Sequence, residues 1–220
     1  MEFLSVLTEC SLFRGLSQAE ISAVLPCLSA RQAQYGRGQY LLHTGETVSS
    51  LGIVLSGELE LSQEDFWGNR NLLTTVGPGD LFAEAFACAH QPSPVSAVCR
   101  VPGRVLYLRT DTIFSPCEKC CAQHKTLTQN LISTLARKNI LLNEKASFLS
   151  QRSTREKLLS YLSAQARRAG SASFTIPFDR QQLADFLSVN RSAMSAELSR
   201  MQQEGLLHVQ RSRFTLYLPE

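Results

Sequence analysis

The feature that most limits what this chain can fold into is an abrupt change of texture at Ser115-Pro116-Cys117-Glu118. Upstream, from Gln32 to about Ile113, short alternating or apolar runs are punctuated by Gly36, Gly38, Gly45, Gly57, Gly68, Gly77, Gly79 and Gly103. The runs are Tyr40–His43, Leu51–Leu55, Glu58–Leu61, Asn71–Val76, Ser96–Val101 and Val105–Leu108, and residues 65–70 read as a hairpin tip. Many short strands separated by glycine turns predict an antiparallel β-roll or barrel. Downstream, about 30 residues contain neither Gly nor Pro, which predicts one long helix.

Ser115 suits the N-cap of that helix, Pro116 its first position, and Glu118 completes a capping box. Ile132, Leu135, Asn139, Leu142, Ala146 and Leu149 recur at spacings of three and four, a heptad seam with an amide at Asn139 to fix register between two helices. An amphipathic helix packed on its own domain is the plainer alternative. A strip this narrow on a long helix favours a dimer seam. Ahead of the roll, Ser17 and Glu20 predict a capped helix with Ile21, Val24, Leu25 and Leu28 as its apolar stripe.

The C-terminal third has a different pattern. After a helix over about 154–168, Gly170-Ser171-Ala172-Ser173 is a break and Phe174-Thr175-Ile176 a short strand. Asp179 is the predicted N-cap of a helix over 180–187, with Gln182 three residues later. Leu183, Phe186 and Leu187 form its inward stripe, and Ala184 is small enough for a second helix to cross closely. Ser188-Val189-Asn190 is a three-residue turn. Asn190 caps the next helix, 191–204, which buries Met194, Leu198 and Met201 before Gly205 stops it. Two short helices joined this way form a helix-turn-helix whose second member enters the major groove. Its exposed first half carries Arg191, Ser192, Ser195 and Ala196. A hairpin, Leu206–Gln210 and Phe214–Leu218, follows around Arg211-Ser212-Arg213, where two guanidinium groups can meet a phosphate backbone. The predicted DNA-binding residues are Arg180, Asn190, Arg191, Ser192, Ser195, Arg211 and Arg213, and the partner is double-stranded DNA.

Charge agrees with that placement. Residues 1–110 carry seven Lys/Arg against ten Asp/Glu, net −3, whereas residues 151–220 carry ten against six, net +4. A basic rear half fits a polyanion. No stretch of about 18 apolar residues exists, and no secretory signal is visible at the start, so a cytoplasmic protein without a membrane partner is expected. Seven cysteines at irregular spacing are not a disulfide framework. The roll holds only His43 and His90, too few for a metal-dependent oxygenase, and no hydrolase or nucleotide-phosphate motif occurs, so no enzyme is expected.

Residues 179–207, from Asp-Arg-Gln-Gln-Leu-Ala-Asp-Phe-Leu through Glu-Gly-Leu-Leu, resemble the helix-turn-helix of the cAMP receptor protein/fumarate–nitrate regulator (Crp/Fnr) family. Gly38, Gly45, Gly57 and Pro78-Gly79-Asp80 resemble the glycine framework of that family's cyclic-nucleotide-type β-roll. The resemblance implies an α+β architecture in three parts: a cyclic-nucleotide-binding-like antiparallel β-roll (1–114), a dimerisation helix (115–150) and a winged helix-turn-helix (151–220). It also implies a homodimer on a palindromic operator. RNA polymerase and a small-molecule effector are candidate further partners.

Two departures from the family pattern matter. Where cAMP-binding members place Gly-Glu and, about ten residues on, Arg-Ser, this chain has Ala83-Glu84 and, over 91–96, no arginine. A cyclic phosphate would lack its charge-assisted contact, so cAMP is not the expected signal; the candidate effector pocket is Phe82, Glu84 and Ser96, with the cofactor unknown. In the helix-turn-helix, Ser188 stands where glycine is usual and Ala196 where many members carry a basic residue. Separately, Cys117, Cys120, Cys121 and His124 fall on one side of the long helix's start. Inert thiols are the preferred reading, with a thiophilic metal or redox sensing as the alternative.

Overall fold

The computed structural model describes residues 3–64, 67, 70–115 and 121–217, the side chains of Arg70 and Cys121 excepted. The chain forms two compact units, 1–137 and 138–220, so the long central helix is shared between them.

The first unit opens with α1 (Leu4–Glu9), a 3₁₀ turn, α2 (Gln18–Val24) and a second 3₁₀ turn. The predicted capping box at α2 is present: Glu20 N donates to Ser17 Oγ at 3.3 Å, and Ser17 N donates to the Glu20 carboxylate at 2.9 Å. These bonds hold the Glu20 carboxyl below its usual range. Ile21, Val24, Leu25 and Leu28 are all buried, as their spacing predicts.

The sheet that follows contains β1 (Arg31–Tyr35), β2 (Tyr40–Leu42), β3 (Ser50–Glu64), β4 (Arg70–Val76), β5 (Leu81–Phe82) and β6 (Ser96–Arg109). All pairs are antiparallel; the order is β1-β6-β3-β4, with β2 on β6 and β5 on β3. Two short helices, α3 (Glu84–Ala89) and α4 (Thr110–Phe114), flank β6. Sequence reading missed β1, α1, α3 and α4, which are too short to show a period.

The glycine punctuation also predicts turns at Gly57 and Gly103, which would divide β3 and β6 each in two. Instead β3 and β6 run unbroken beside each other from Ser50↔Arg109 to Ser62↔Ser96, with register shifts around Ser56 and Glu58. Gly57 has φ of 84°, and a Cβ on Gly103 would stand 1.9 Å from the Ser56 carbonyl oxygen. Glycine serves here to let two backbones touch at a bulge.

Alternation along this pair supplies two cores. Leu51, Ile53, Leu106 and Leu108 face the N-terminal helices together with Leu7, Phe13 and Ile21. Val54, Leu59, Cys99 and Val105 fill the roll interior with Val76 and Phe82. The first half of α5 (Cys121–Leu149) closes the first core through Leu127 and Leu131, while Asn130 Nδ2 donates to the carbonyls of Leu12 (2.9 Å) and Arg14 (2.8 Å). The capping box expected at Pro116–Glu118 lies outside the described residues. Ser115 itself closes α4, its hydroxyl donating to the Asp111 carbonyl at 2.8 Å.

The second unit contains the end of α5, then α6 (Thr154–Ala169), β7 (Ser173–Thr175), α7 (Arg180–Phe186), α8 (Arg191–Gln203), β8 (Leu207–Gln210) and β9 (Arg213–Leu216). Its sheet order is β7-β9-β8. Leu158, Leu162, Leu183, Met194, Leu198, Met201 and Phe214 are its centre.

The β3–β6 contact yields a stability prediction. Gly103→Ala is expected to destabilise the first unit by about 1–3 kcal/mol, the cost of overpacking. Gly77→Ala, with nothing within 4 Å of the new methyl, should change stability by less than about 1 kcal/mol. Urea unfolding followed by circular dichroism measures both; coincident midpoints would refute the pairing at Gly103.

Candidate DNA-reading surface

Local bonds build the helix-turn-helix as the sequence predicts. Asp179 Oδ1 accepts from Gln182 N at 2.8 Å, and Gln182 Oε1 accepts from Asp179 N at 2.9 Å, starting α7. Leu183, Ala184 and Leu187 are buried, with Phe186 half-buried beside them. Asn190 Oδ1 accepts from Ser192 N (2.9 Å) and Ala193 N (3.1 Å), starting α8. The oxygen of Asn190 is therefore engaged by the helix cap, so this residue shapes the reading helix instead of presenting that oxygen to DNA.

On α8, Met194, Leu198 and Met201 face inward. Arg191, Ser192, Ala193 and Ala196 are exposed, while Ser195 is half-buried and its carbonyl accepts from the Ser199 hydroxyl. The outward strip at the start of the helix is therefore Arg191-Ser192-Ala193, with Ser195 turned from its centre. Sequence reading missed Glu197, a buried carboxylate on the inner side. Arg155 of α6 reaches it at 3.4 Å and Arg200 at 3.3 Å, and Arg155 also pairs with Glu204. Bonding from Arg155 holds the Glu204 carboxyl below its usual range.

The wing turn is Arg211-Ser212, with Arg211 in the left-handed region at φ 55°. Ile176 N donates to Ser212 O at 2.9 Å, tying the turn to the segment after β7. Arg211 and Arg213 are exposed. Between the turn and the start of α7 lies a cleft of about 490 Å³, lined by Pro177, Phe178, Asp179, Arg180, Arg211 and Ser212 among others. The Arg180 guanidinium lies over the Phe214 ring, 5.7 Å from its centre. Its Nη1 is buried without a hydrogen-bond partner, and burial lowers its pKa. Arg155, Arg168 and Arg200 pair with glutamates. Among the described residues, Arg180, Arg191, Arg211 and Arg213 have no carboxylate partner.

The predicted effector residues are brought together only in part. Phe82 is buried against Gly52, where a Cβ would stand 2.2 Å from its ring. Glu84 is 4% exposed at the first position of α3, directly after Ala83 at φ 59°. The Ser96 hydroxyl instead bonds Thr44, accepting from its N at 3.0 Å and meeting its Oγ1 at 3.0 Å. A tyrosine pair that sequence reading missed lies in the roll: the Tyr35 and Tyr107 hydroxyls are 2.8 Å apart, and Tyr107 sits edge-on to Phe82. Burial pushes the Tyr107 hydroxyl pKa up.

Of the expected seam, Ile132 is 58% and Leu142 65% exposed, and Asn139 is exposed, its Oδ1 accepting from Asn143 at 2.8 Å. Leu149 is half-buried. Leu135 departs from expectation: it packs partly against the core of its own unit. Ile140 and Leu141 are further exposed apolar residues on α5. Cys117 and Cys120 lie outside the described residues, as does the Cys121 side chain; His124 is buried. Among the described residues no group of three or more His, Cys, Asp or Glu side chains is placed to hold a metal. Cys10, Cys88 and Cys99 are free thiols, and burial pushes Cys10 up to about 11.

A β-roll followed by a long helix and a winged helix-turn-helix defines a DNA-binding transcription regulator with an effector-binding domain. Family comparison agrees: residues 32–120 match the cyclic nucleotide-binding domain and residues 156–220 the Crp-like helix-turn-helix domain. A probable transcriptional regulator, flp, of Lacticaseibacillus casei is 25% identical over 203 residues, 89% of this chain and 86% of that protein. The CRP-like cAMP-activated global transcriptional regulator of Mycobacterium tuberculosis is 22% identical over 210 residues, 93% and 91% of the two chains. The Thermus thermophilus catabolite activator protein has a similar fold, with a TM-score of 0.51 at 22% identity, covering 94% of this chain and 93% of that one. The chain belongs to the Crp/Fnr family of transcription regulators. No helix among the described residues is long and apolar enough to cross a membrane.

Proposed function

We propose that this regulator works as a homodimer on a two-fold-related operator, with α8 in the major groove and the wing on the backbone, and that its effector is not cAMP. The observation that carries the DNA reading is Arg180. Its guanidinium lines an open cleft together with Arg211, and neither has a carboxylate partner among the described residues, which suits the pair to an anion. A phosphate entering the cleft would meet the solvent-facing part of the Arg180 guanidinium and Arg211 together, with α8 left to the groove.

Selection from random duplexes should return a two-fold-related site. Against it, Arg191→Ala is expected to cost about 1–3 kcal/mol and to relax preference at one base per half-site. Arg213→Ala should weaken all sequences alike and make the salt dependence shallower by about one phosphate contact per chain. The opposite pattern would put the wing, not α8, in the groove.

Support for the homodimer comes from the exposed apolar residues along α5. Ile132→Glu with Ile140→Glu places charge on the proposed contact while sparing Leu135 and the core it touches, and burial of an unpaired charge costs several kcal/mol. Sedimentation should show monomers; a tight dimer would disprove the seam.

The relative from M. tuberculosis is named as cAMP-activated. In this chain Ala83 stands at the turn into α3, the Ser96 hydroxyl is held by Thr44, and residues 91–96 offer no guanidinium to a cyclic phosphate. Calorimetry with cAMP at micromolar concentration should register no binding, and a clear isotherm coupled to tighter operator binding would overturn this.

A further inference from the structure

We propose that Lys157 is the positioning residue of the helix-turn-helix, anchoring the turn between α7 and α8 to α6 and so setting the direction in which the reading helix leaves. The inference rests on DNA reading by α8.

The C-terminus of α7 closes in a Schellman arrangement. Val189 N donates to Ala184 O at 3.0 Å, and Ser188 N donates to Asp185 O at 3.1 Å. That arrangement requires a left-handed residue at its centre, and Ser188 supplies it with φ of 51°. Glycine enters this region freely, whereas a residue with a Cβ is disfavoured there. The turn therefore carries strain at the position that joins the two helices.

The carbonyls at this end have no donors left within α7 and lie at the negative end of its dipole. Lys157, half-buried on α6, meets them: its Nζ is 3.1 Å from Leu187 O and 3.5 Å from Ser188 O. An ammonium with three donors can serve two carbonyls at once. Two residues earlier on α6, Arg155 holds Glu197 and Glu204 of the α8 region. One helix thus grips the reading helix at both ends, through Arg155 at its inner flank and through Lys157 at the turn. Asn190, whose side chain caps α8, is only two residues beyond Ser188, so a shift of the turn moves the cap and Arg191 with it.

A lysine near DNA could instead contact phosphate, and salt dependence separates the two roles. With the full-length chain and its selected operator, Lys157→Met is expected to lower affinity at least about tenfold while leaving the slope of log affinity against log salt unchanged. Loss of a phosphate contact would reduce that slope by about 0.9 per chain and would overturn positioning. Lys157→Arg, which keeps the donors, should recover most of the affinity. Amide exchange at Ser188 and Val189 should accelerate in Lys157→Met while the core amides of α6 and α8 stay protected.

Adding Ser188→Gly to Lys157→Met relieves the left-handed strain without restoring the anchor. Stability should return and affinity should not. Full recovery of affinity, or undiminished affinity in Lys157→Met alone, would overturn the proposal. A wild type that binds no duplex would fail the reading of α8, and the exchange comparison would still decide whether Lys157 holds the turn.

Discussion

The pairing of β3 with β6 is the constraint on which the first unit depends. Each strand is buried on both faces over much of its length, so alternate residues feed separate cores: Ile53 and Leu106 on one side, Val54 and Val105 on the other. A slip of one residue would exchange the two sets and put each on the wrong side. The close approach of Gly57 and Gly103 pins the register, because no other residue fits that gap. This contact joins positions far apart in sequence, Ser56 and Arg104 being 48 residues apart, so it forms only when the chain has already doubled back.

How much of this the sequence discloses depends on the range of the interaction. Capping boxes act over three residues, and Ser17/Glu20 and Asp179/Gln182 are where their spacing puts them. Stripes act over two turns, and Ile21–Leu28 and Met194–Met201 are buried as their periods require. Gly57 and Gly103 read locally as turns, because a glycine at a bulge and a glycine at a turn look alike until the opposite strand is known. Leu135 fits the heptad by spacing, yet it also borders the side of α5 that docks on the N-terminal helices, a surface that no local pattern reveals. Glu197 follows the same logic: its burial is explained only by Arg155, 42 residues away in sequence.

The effector end was legible mainly as a departure from the family pattern. Ala83 adopts the left-handed conformation that glycine would take more easily, so the turn into α3 keeps its shape although its residue differs. What changes is the chemistry around it. Ser96 is bonded to Thr44, and the roll interior beside Phe82 contains hydroxyls from Tyr35 and Tyr107. Residues 91–96 bring no guanidinium to this partly aromatic interior, and a phosphate leaving water needs a paired cation.

At the other end the distribution of charge does the sorting. The second unit has more arginine than its acids can neutralise, but the acids are not shared evenly. Glu197 and Glu204 draw Arg155 and Arg200 to the side of α8 that faces α6, and Glu144 draws Arg168. Arg180, Arg191, Arg211 and Arg213 are left without carboxylates among the described residues. Pairing on one side and none on the other turns a modest net charge of +4 over residues 151–220 into a one-sided field. Such a field attracts any polyanion; on the proposed reading, selectivity comes from Arg191 and the short side chains of Ser192 and Ala193, which meet base edges only if α8 leaves its turn at a fixed angle. On the proposed reading, electrostatics brings the duplex to this surface, and the geometry of the Ser188 turn determines whether it is read.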